Sequence, residues 1–450
     1  MSFGSLIFLF LFLPVSLILY YIVPGRAKKA VLILLSFVFY AWGKPEHLVI
    51  LVLSVLFNYF SAAEMLRWKE QGNDLMARIA FFGAVGIDVC VLAIFKYTGA
   101  GLPLGISFYT FSMISYLADL YMEKAGMADN LVNFTLYISF FPKITSGPIV
   151  QYRDFEEQLL SLRPGRHAVE DGFYMFLTGL FKKILIADTL GAAFAYVTSL
   201  DSMAAATAWL GALFYFFQLY FDFSGYSDMA IGLSRMLGFR FSKNFDYPYM
   251  SSSISEFWRR WHISLGAWFR NYVYIPLGGN RCSTVMQIRN LLVVWVLTGI
   301  WHGSTLNFLV WGLYHGAFVI LERFVLKDRT EVFPKVLRIL VTDLIVYFGW
   351  VFFFSPSMGS AVSYFGRMFG ADGMGIWNST TSFIFMENLP MLIIALLLTG
   401  PGVRRIHDVY AYDRGGVYRA LSFLIYVVLF AVSIAVIVGS TYTSFLYVQF

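Results

Sequence analysis

The residues best suited to chemistry are two histidines, His262 and His302, each set in tryptophan-rich sequence. His262 lies in the run FWRRWHISL (257–265), and His302 lies in TGIWHGS (298–304), near the end of an apolar stretch. The chain has only six histidines, and an ionisable group at membrane depth is costly unless it is paired or hydrated. A neutral imidazole can accept a proton from a hydroxyl group near neutral pH. The pattern therefore indicates proton-transfer chemistry inside a membrane.

Each histidine also has a structural interpretation. His302 can hydrogen-bond a neighbouring helix, and the flanking Gly299 and Gly303 can serve a close helix contact as well as a substrate chain. His262 can be an interfacial histidine bonded to headgroups or backbone; as a catalytic group it would orient a base or hold a carbonyl. The residues alone leave both interpretations open.

Three arginines, Arg259, Arg260 and Arg270, share the segment that contains His262. Guanidinium groups bind phosphates through paired hydrogen bonds, so these side chains could hold a phosphate-bearing donor. They could equally lie among anionic lipid headgroups.

Two carboxylates, Asp222 and Asp228, lie among hydroxyl-bearing residues within another apolar stretch. Buried carboxylates of this kind usually pair with an arginine or cap a broken helix, and Arg235 is nearby. The sequence favours a structural role for both.

The pattern of possible ligands argues against a metal site. His262, His302 and His315 lack the convergent short spacing of metal ligands, and the chain has no Gly-rich phosphate loop. The only cysteines, Cys90 and Cys282, lie in an apolar stretch and a polar loop, so we expect neither a disulfide nor a thiolate site.

The composition is that of a polytopic helical membrane protein. Of 450 residues, 59% are hydrophobic and 13% are charged, which is about half the charged share of a soluble protein. No large soluble domain can be built between the apolar stretches. The net charge of +6 is better explained by basic loops that set topology than by nucleic-acid binding.

Roughly twelve stretches are long enough, or nearly so, to span a bilayer. They run over residues 5–23, 30–41, 47–66, 79–96, 104–121, 170–198, 206–237, 287–303, 304–326, 336–356, 383–400 and 420–440. Because the basic residues follow the first stretch instead of preceding it, this segment is predicted to be a membrane helix and not a signal peptide.

The basic loops give an orientation. Clusters at 26–29, 67–78, 327–335 and 404–419 all fall on one side of the membrane, whereas the opposite loops 42–46 and 357–382 contain only Lys44 and Arg367. By the positive-inside rule, both termini are predicted to be extracytoplasmic.

Two regions do not fit simple spans. Residues 131–152 contain two prolines and a glycine, so a straight helix is not expected there. Residues 239–286 are polar but aromatic, and the spacing of Phe257, Trp261, Leu265, Trp268 and Tyr272 predicts one amphipathic, interfacial or re-entrant helix over 257–272. We expect both regions to line a wet cavity, where irregular backbone is tolerated at membrane depth.

The chain resembles the membrane-bound O-acyltransferase (MBOAT) family, and within it the bacterial alginate and peptidoglycan O-acetyltransferases. The resemblance covers nearly the whole chain and is carried by many motifs in one order. They lie at residues 10–14, 105–111, 146–150, 179–183, 220–230, 244–249, 255–262, 274–280 and 301–303.

The resemblance implies a single membrane domain over 1–450, with a catalytic core at about 100–330 and peripheral helices at 1–100 and 330–450. Its helices would form a barrel-like wall around a tunnel across the bacterial inner membrane. His302 would be the catalytic histidine and His262 the second active-site histidine, with Trp258, Trp301, Asp222 and Asp228 supporting the tunnel.

The resemblance also implies substrates and partners. The donor would be cytoplasmic acetyl-CoA, and a separate periplasmic SGNH-type, esterase-like protein would complete transfer to an extracellular polysaccharide. We expect no fused extracytoplasmic domain. Which polysaccharide and which short acyl group are used stay open.

The tail FLYVQF (445–450) is similar to the C-terminal tyrosine motif of the small partner in teichoic acid D-alanylation. Tyr447 is thus predicted to accept acetyl near His302 and relay it to the partner protein. An aromatic interfacial anchor for the last helix is the alternative.

Other functions remain compatible with the sequence. A lipid or protein O-acyltransferase of the same family is the nearest alternative, followed by a solute transporter or an acyl-carrying channel. Transporters commonly contain inverted repeats, and the sequence shows none.

Overall fold

The computed structural model describes residues 1–159, 164–403 and 416–439, and these residues form helices without any strand. The chain divides into two compact units. The first comprises Met1–Leu180 and Tyr226–Lys243, and the second comprises Phe181–Gly225 and the residues from Asn244 onward. The predicted all-helical class is confirmed for the described residues.

The first unit holds eight helices and parts of two more. A π-helical turn, Phe8–Phe12, leads into α1. The helices are α1 (Leu13–Ile22), α2 (Lys28–Ala41), α3 (Glu46–Glu70), α4 (Asp74–Tyr97), α5 (Ile106–Tyr121), α6 (Leu131–Ser139), α7 (Phe141–Ile144), α8 (Tyr152–Leu159), α9 (Arg166–Phe181) and the end of α11 (Ala205–Met236).

The second unit holds the other helices and both histidine segments. They are α10 (Asp188–Thr198), most of α11, α12 (Ile254–Arg260), α13 (Ile263–Phe269), α14 (Thr284–His302), α15 (Leu306–Ile320), α16 (Lys335–Phe354), α17 (Met358–Met368), α18 (Ser379–Leu398) and α19 (Gly416–Gly439). Three π-helical segments extend α9, α13 and α15: Lys182–Ala187, Arg270–Tyr274 and Leu321–Leu326.

Among the described residues, seven helices are long and apolar enough to cross a membrane. They are α3, α4, α14, α15 with its π-helical extension, α16, α18 and the Ala420–Gly439 part of α19. A shorter apolar helix covers Phe8–Ile22. Within the described residues, each of the twelve stretches predicted from the sequence lies mainly on helix, while the count of twelve spans stays a prediction.

The break predicted in residues 131–152 is confirmed. Helix α6 ends at Ser139, and Phe140 leaves helical geometry with φ −50° and ψ 109°. The short helix α7 then begins with Pro142 in its first turn. The missing N–H of a proline breaks no helical hydrogen bond at this position.

The single amphipathic helix predicted over 257–272 is wrong. Helix α12 ends at Arg260, and α13 begins at Ile263 after His262 has adopted left-handed backbone geometry, φ 45° and ψ 55°. The predicted apolar stripe is nevertheless buried at Phe257, Trp261, Leu265 and Trp268. Helical spacing identified the buried face, but it could not reveal a turn that the rest of the fold imposes.

Candidate active site

The turn at His262 is held by Asn244. Its Oδ1 atom accepts hydrogen bonds from the Ser264 backbone N–H at 3.1 Å and the Ser264 hydroxyl at 3.0 Å. The backbone carbonyl oxygen of Asn244 accepts a hydrogen bond from the Ile263 N–H at 2.9 Å. Left-handed geometry costs a non-glycine residue about 1–2 kcal/mol, and these bonds offset that strain while capping α13.

The same asparagine fixes the His262 ring. His262 Nδ1 lies 3.2 Å from Asn244 Oδ1, so Nδ1–H donates to this oxygen and Nε2 keeps the lone pair. The ring is 3% exposed and packs edge-on against Phe223 at 4.7 Å. Burial lowers the pKa of His262 to about 3. His262 is therefore a neutral, oriented hydrogen-bond acceptor at neutral pH.

His302 is the last residue of α14 and is 4% exposed. Its ring contacts Trp301, Trp311 and Phe353 at centroid distances of 4.4, 4.9 and 5.0 Å. The C-terminus of a helix carries partial negative charge, which favours a cationic neighbour by about 0.3–1 kcal/mol. A positive charge on the His302 ring would be favoured at this position.

Glycines bring α14 and α15 into close contact at this histidine. A Cβ atom at Gly299 would lie 2.6 Å from the Phe308 carbonyl oxygen, and one at Gly312 would collide with the Trp295 carbonyl oxygen. Such contacts involve backbone atoms, so a rotamer change cannot relieve them. Of the two interpretations of Gly299 given by the sequence, the geometry supports close helix contact.

The two histidines meet at one cavity of about 230 Å³. Apart from the histidines and Arg270, its wall is almost entirely apolar and aromatic. The lining residues are Leu219, Trp258, Trp261, His262, Leu265, Gly266, Phe269, Arg270, Tyr274, Leu291, Val294, Trp295, Thr298, His302, Trp311, Trp350 and Phe353. The fold thus brings together two polar groups that lie far apart in the sequence.

Another buried histidine, His315, packs against two tryptophans of the cavity wall. It is fully buried, and its ring lies 4.9 Å from Trp258 and 5.3 Å from Trp311. A Cβ atom at Gly349 would collide with His315 Nε2, so the ring fills the space that this glycine leaves. The sequence analysis considered His315 only as a metal ligand and missed its packing role; the only signal was a histidine on an apolar stretch.

The three arginines have different surroundings. Arg270 is exposed and lines the cavity. Arg260 forms a salt bridge with Glu256 at 2.6 Å and donates to the Asp246 carbonyl oxygen at 3.4 Å. Arg259 is exposed and is not part of the cavity lining. The structure therefore brings only Arg270 to the histidines.

Comparison with known proteins identifies the family. The model of the membrane-bound O-acyltransferase family matches residues 117–365, which is more than half of the chain. This protein belongs to the membrane-bound O-acyltransferase family.

Relatives of this acyltransferase align over most of their length. A probable alginate O-acetylase from Azotobacter vinelandii is 39% identical over 93% of this chain and 88% of its own. Another from Pseudomonas aeruginosa is 40% identical over 84% of this chain and 76% of its own. The peptidoglycan O-acetyltransferase of Helicobacter pylori is 33% identical, with 89% and 86% covered. The resemblance found in the sequence is confirmed, and the protein is a multi-pass bacterial membrane acyltransferase.

In this acyltransferase, Asp222 lies away from the cavity lining. It forms a buried salt bridge with Lys183 at 2.9 Å, and the same ammonium group also bonds Asp188. Its partner is thus a lysine and not the arginine that the sequence suggested, because Arg235 bonds Asp171 at 3.7 Å in the first unit. Asp228 lies further along α11 and is partly exposed.

The remaining predicted site residues divide into two kinds. Trp258 lines the cavity of the acyltransferase, and Trp301 is buried against His302 outside the lining. Tyr447, with the tail at 445–450, lies outside the described residues.

One carboxylate that the sequence did not single out anchors α12. Glu322, on the π-helical extension of α15, accepts hydrogen bonds from the Ile254 N–H and from both the N–H and the hydroxyl of Ser255. These N–H groups belong to the first turn, where a helix has free donors and favours negative charge. Glu322 thereby ties the helix that bears Trp258 to the helix that follows His302.

Proposed function

We propose that this protein is a membrane O-acetyltransferase that uses cytoplasmic acetyl-CoA for the O-acetylation of an extracellular or cell-wall polysaccharide. The observation that carries the proposal is the single cavity where His262 and His302 meet, with Arg270 on its wall. The alginate and peptidoglycan O-acetylating relatives support the polysaccharide class.

His302 acts as the general base. It takes the proton of the acceptor hydroxyl while the hydroxyl oxygen bonds to the thioester carbonyl carbon. The tetrahedral intermediate then collapses, the C–S bond breaks, and the leaving thiolate takes the proton from the imidazolium. An acetyl ester and free thiol result, and His302 returns to its neutral form. A positioned base contributes about 10²–10⁴-fold to such a step.

His262 orients the acceptor hydroxyl. Its Nε2 lone pair can accept a hydrogen bond from that group, and its lowered pKa makes it a poor base. This assignment complements His302, whose position at a helix C-terminus favours the protonated form.

Two indole N–H groups are suited to bind the oxyanion of the intermediate. Trp258 and Trp311 line the cavity, and neither indole nitrogen has a hydrogen-bond partner among the described residues. Fixed donors in an apolar site stabilise developing negative charge more strongly than the same donors in water.

The cavity suits the acyl end of the donor. A volume of about 230 Å³ with an aromatic wall can hold an acetyl thioester and part of its arm, whereas the nucleotide of coenzyme A is larger and strongly charged. The phosphates would therefore stay outside, where Arg270 at the exposed end of the wall provides a guanidinium group. The exposed Arg259 is a further candidate on the same segment.

The remaining parts of the proposal concern the far side of the membrane. A separate periplasmic SGNH-type, esterase-like protein completes the transfer, and both termini of this chain are extracytoplasmic. Tyr447 carries acetyl between the two proteins. This relay fails if no acetyl is found on the C-terminal peptide during turnover and Tyr447→Phe retains full activity.

Release of coenzyme A by the purified protein tests the enzyme directly. With acetyl-CoA as the donor, the rate of thiol release should fall about 10²–10⁴-fold in His302→Gln, with the unfolding midpoint unchanged. His167→Gln, at an exposed histidine outside the cavity, is the matched control and should match wild type. Thiol release that persists in His302→Gln would disprove the assignment of the base.

A further inference from the structure

One glycine of the cavity wall is not explained by the fold. Gly266 lies in the middle of α13, with His262 four residues before it and Arg270 four residues after it, and all three line the cavity. At 1.5 Å and about 100° per residue, positions four residues apart lie about 6 Å apart along a helix axis and on the same side of the helix. The three positions therefore form one stripe along the helix.

Exposure increases along this stripe of three residues. His262 is 3% exposed, whereas Gly266 and Arg270 are both exposed. Gly266 thus lies between His262 and Arg270 along the part of the wall that this helix provides.

Neither turn geometry nor helix packing requires glycine at this position. Its backbone is helical, and a Cβ atom there would meet only the Trp258 carbonyl oxygen, at 3.7 Å. Gly299 and Gly312, in contrast, face backbone atoms of a neighbouring helix. Glycine in a helix costs about 1 kcal/mol relative to alanine, so the open space beside Gly266 is retained at the expense of stability.

We infer that Gly266 is a specificity-determining residue that keeps the wall open for the unbranched thioester arm of the donor. The inference rests on the proposed function, because it assumes a donor whose acyl group reacts at the histidines while its charged end stays near Arg270. A side chain at position 266 projects into the path of the arm. It hinders binding of the donor without touching the group that takes the proton.

A series of side chains at position 266 tests this inference. In the purified full-length protein, the KM for acetyl-CoA and the Kd for coenzyme A, measured by calorimetry, should both rise in Gly266→Ala. Both should rise about tenfold or more in Gly266→Val, since the larger side chain fills the space that the arm would occupy, and one methylene in an apolar pocket is worth about 10–200-fold. The kcat should change much less than the KM.

Ala267→Val is the matched control. Ala267 is the next residue of the same helix, is exposed and does not line the cavity, so this variant should keep the KM and Kd of wild type. If Gly266→Val does not fold, Gly266→Ala decides, because its methyl group has room at 3.7 Å.

The outcomes separate this inference from the function on which it rests. Wild-type protein that neither binds coenzyme A nor releases it from acetyl-CoA would overturn the proposed function. Active wild-type protein whose Gly266→Ala and Gly266→Val variants keep the same KM and Kd would overturn only the inference about Gly266.

Discussion

At the scale of single residues, the two histidines of the cavity have opposite environments. His262 follows a left-handed turn and is fixed by Asn244, whereas His302 ends a long helix beside aromatic rings. Both rings are buried, which disfavours a charged imidazole, but only His302 ends a helix, whose C-terminal partial charge favours a cation. This difference supports the proposed division of roles, in which His302 takes up the proton and His262 orients the hydroxyl group.

The lowered pKa of His262 predicts a pH-dependent stability. The folded pKa of about 3 lies below the ordinary value of 6.5, so the unfolded chain binds more protons between these values. The contribution of His262 to the free energy of unfolding should thus be complete above pH 6.5. It should decrease as the pH falls, by up to about 2 kcal/mol at pH 5.

Thermal unfolding of wild type and His262→Gln at pH 7.5 and pH 5 measures this contribution. Wild type should lose more stability than the variant over this interval. Arg270 and His302 share the cavity and are present in both proteins, so their contributions largely cancel. An equal loss in the two proteins would show that His262 titrates normally.

The sequence predicted some of these residues and not others. His262 and His302 were identifiable as histidines within apolar, tryptophan-rich sequence. The ion pair of Arg260 with Glu256 was not predicted, although the two residues have the spacing of a helical ion pair. The role of Asn244 was not predictable, because it depends on a loop residue folding back onto a distant turn. The place of His315 was equally hidden, since nothing in an apolar helix indicates which face meets a tryptophan.

At the scale of helices, the approach of α14 to α15 sets the position of His302. Gly312→Ala places a methyl group against the Trp295 carbonyl oxygen and 3.2 Å from Gly299 Cα. Alanine favours a helix by up to about 1 kcal/mol, but overpacking against backbone costs about 1–3 kcal/mol. We expect net destabilisation and reduced activity.

Gly359→Ala is the control for helix propensity, because a Cβ atom there meets only the Ser357 hydroxyl, at 3.8 Å. This variant should be as stable as wild type or more stable in the same unfolding measurement. Should Gly312→Ala be equally stable, the two helices would not depend on that contact.

The hydrogen bonds between Glu322 and the first turn of α12 give a second prediction at this scale. In Glu322→Gln, one carboxylate oxygen becomes an amide that cannot accept a hydrogen bond, and the negative charge at the helix N-terminus is lost. A hydrogen bond to a charged group contributes about 1.5–3 kcal/mol. The variant should therefore be less stable and, because α12 bears Trp258, less active.

Glu331→Gln is the matched control at an exposed carboxylate and should behave like wild type. Unfolding midpoints and thiol release in both variants test this role. Wild-type values for both quantities in Glu322→Gln would contradict it.

Helix positions followed from the sequence more reliably than helix breaks. Long apolar stretches identified α3, α4, α14 and α16, because burial in lipid or protein demands an apolar surface along the whole helix. The break between α12 and α13 did not follow, because left-handed geometry at a histidine is stabilised by Asn244 and has no local sequence signal. Local periodicity of apolar residues indicates which face is buried, whereas a turn of this kind depends on tertiary contacts.

At the scale of the whole molecule, composition and family agree on a membrane acyltransferase, and the expected product is an acetylated surface polysaccharide. Deletion of the gene should remove O-acetyl groups from one glycan of the host, as measured by mass spectrometry. Wild-type protein should restore them, whereas His302→Gln should not. Unchanged acetylation of every glycan would contradict the polysaccharide assignment and favour a lipid or protein acceptor.

The π-helical turn Arg270–Tyr274 has a consequence for the register of the cavity wall. Its hydrogen bond runs from the Ile275 N–H to the Arg270 carbonyl oxygen at 2.9 Å, one residue longer than in an α-helix. This wider turn places one residue more between Arg270 and the loop than an α-helical turn would, at nearly the same rotation about the helix axis. Removing one residue here should therefore leave the direction of the following loop nearly unchanged, whereas removing a residue of α13 would rotate Arg270 and everything beyond it by about 100°.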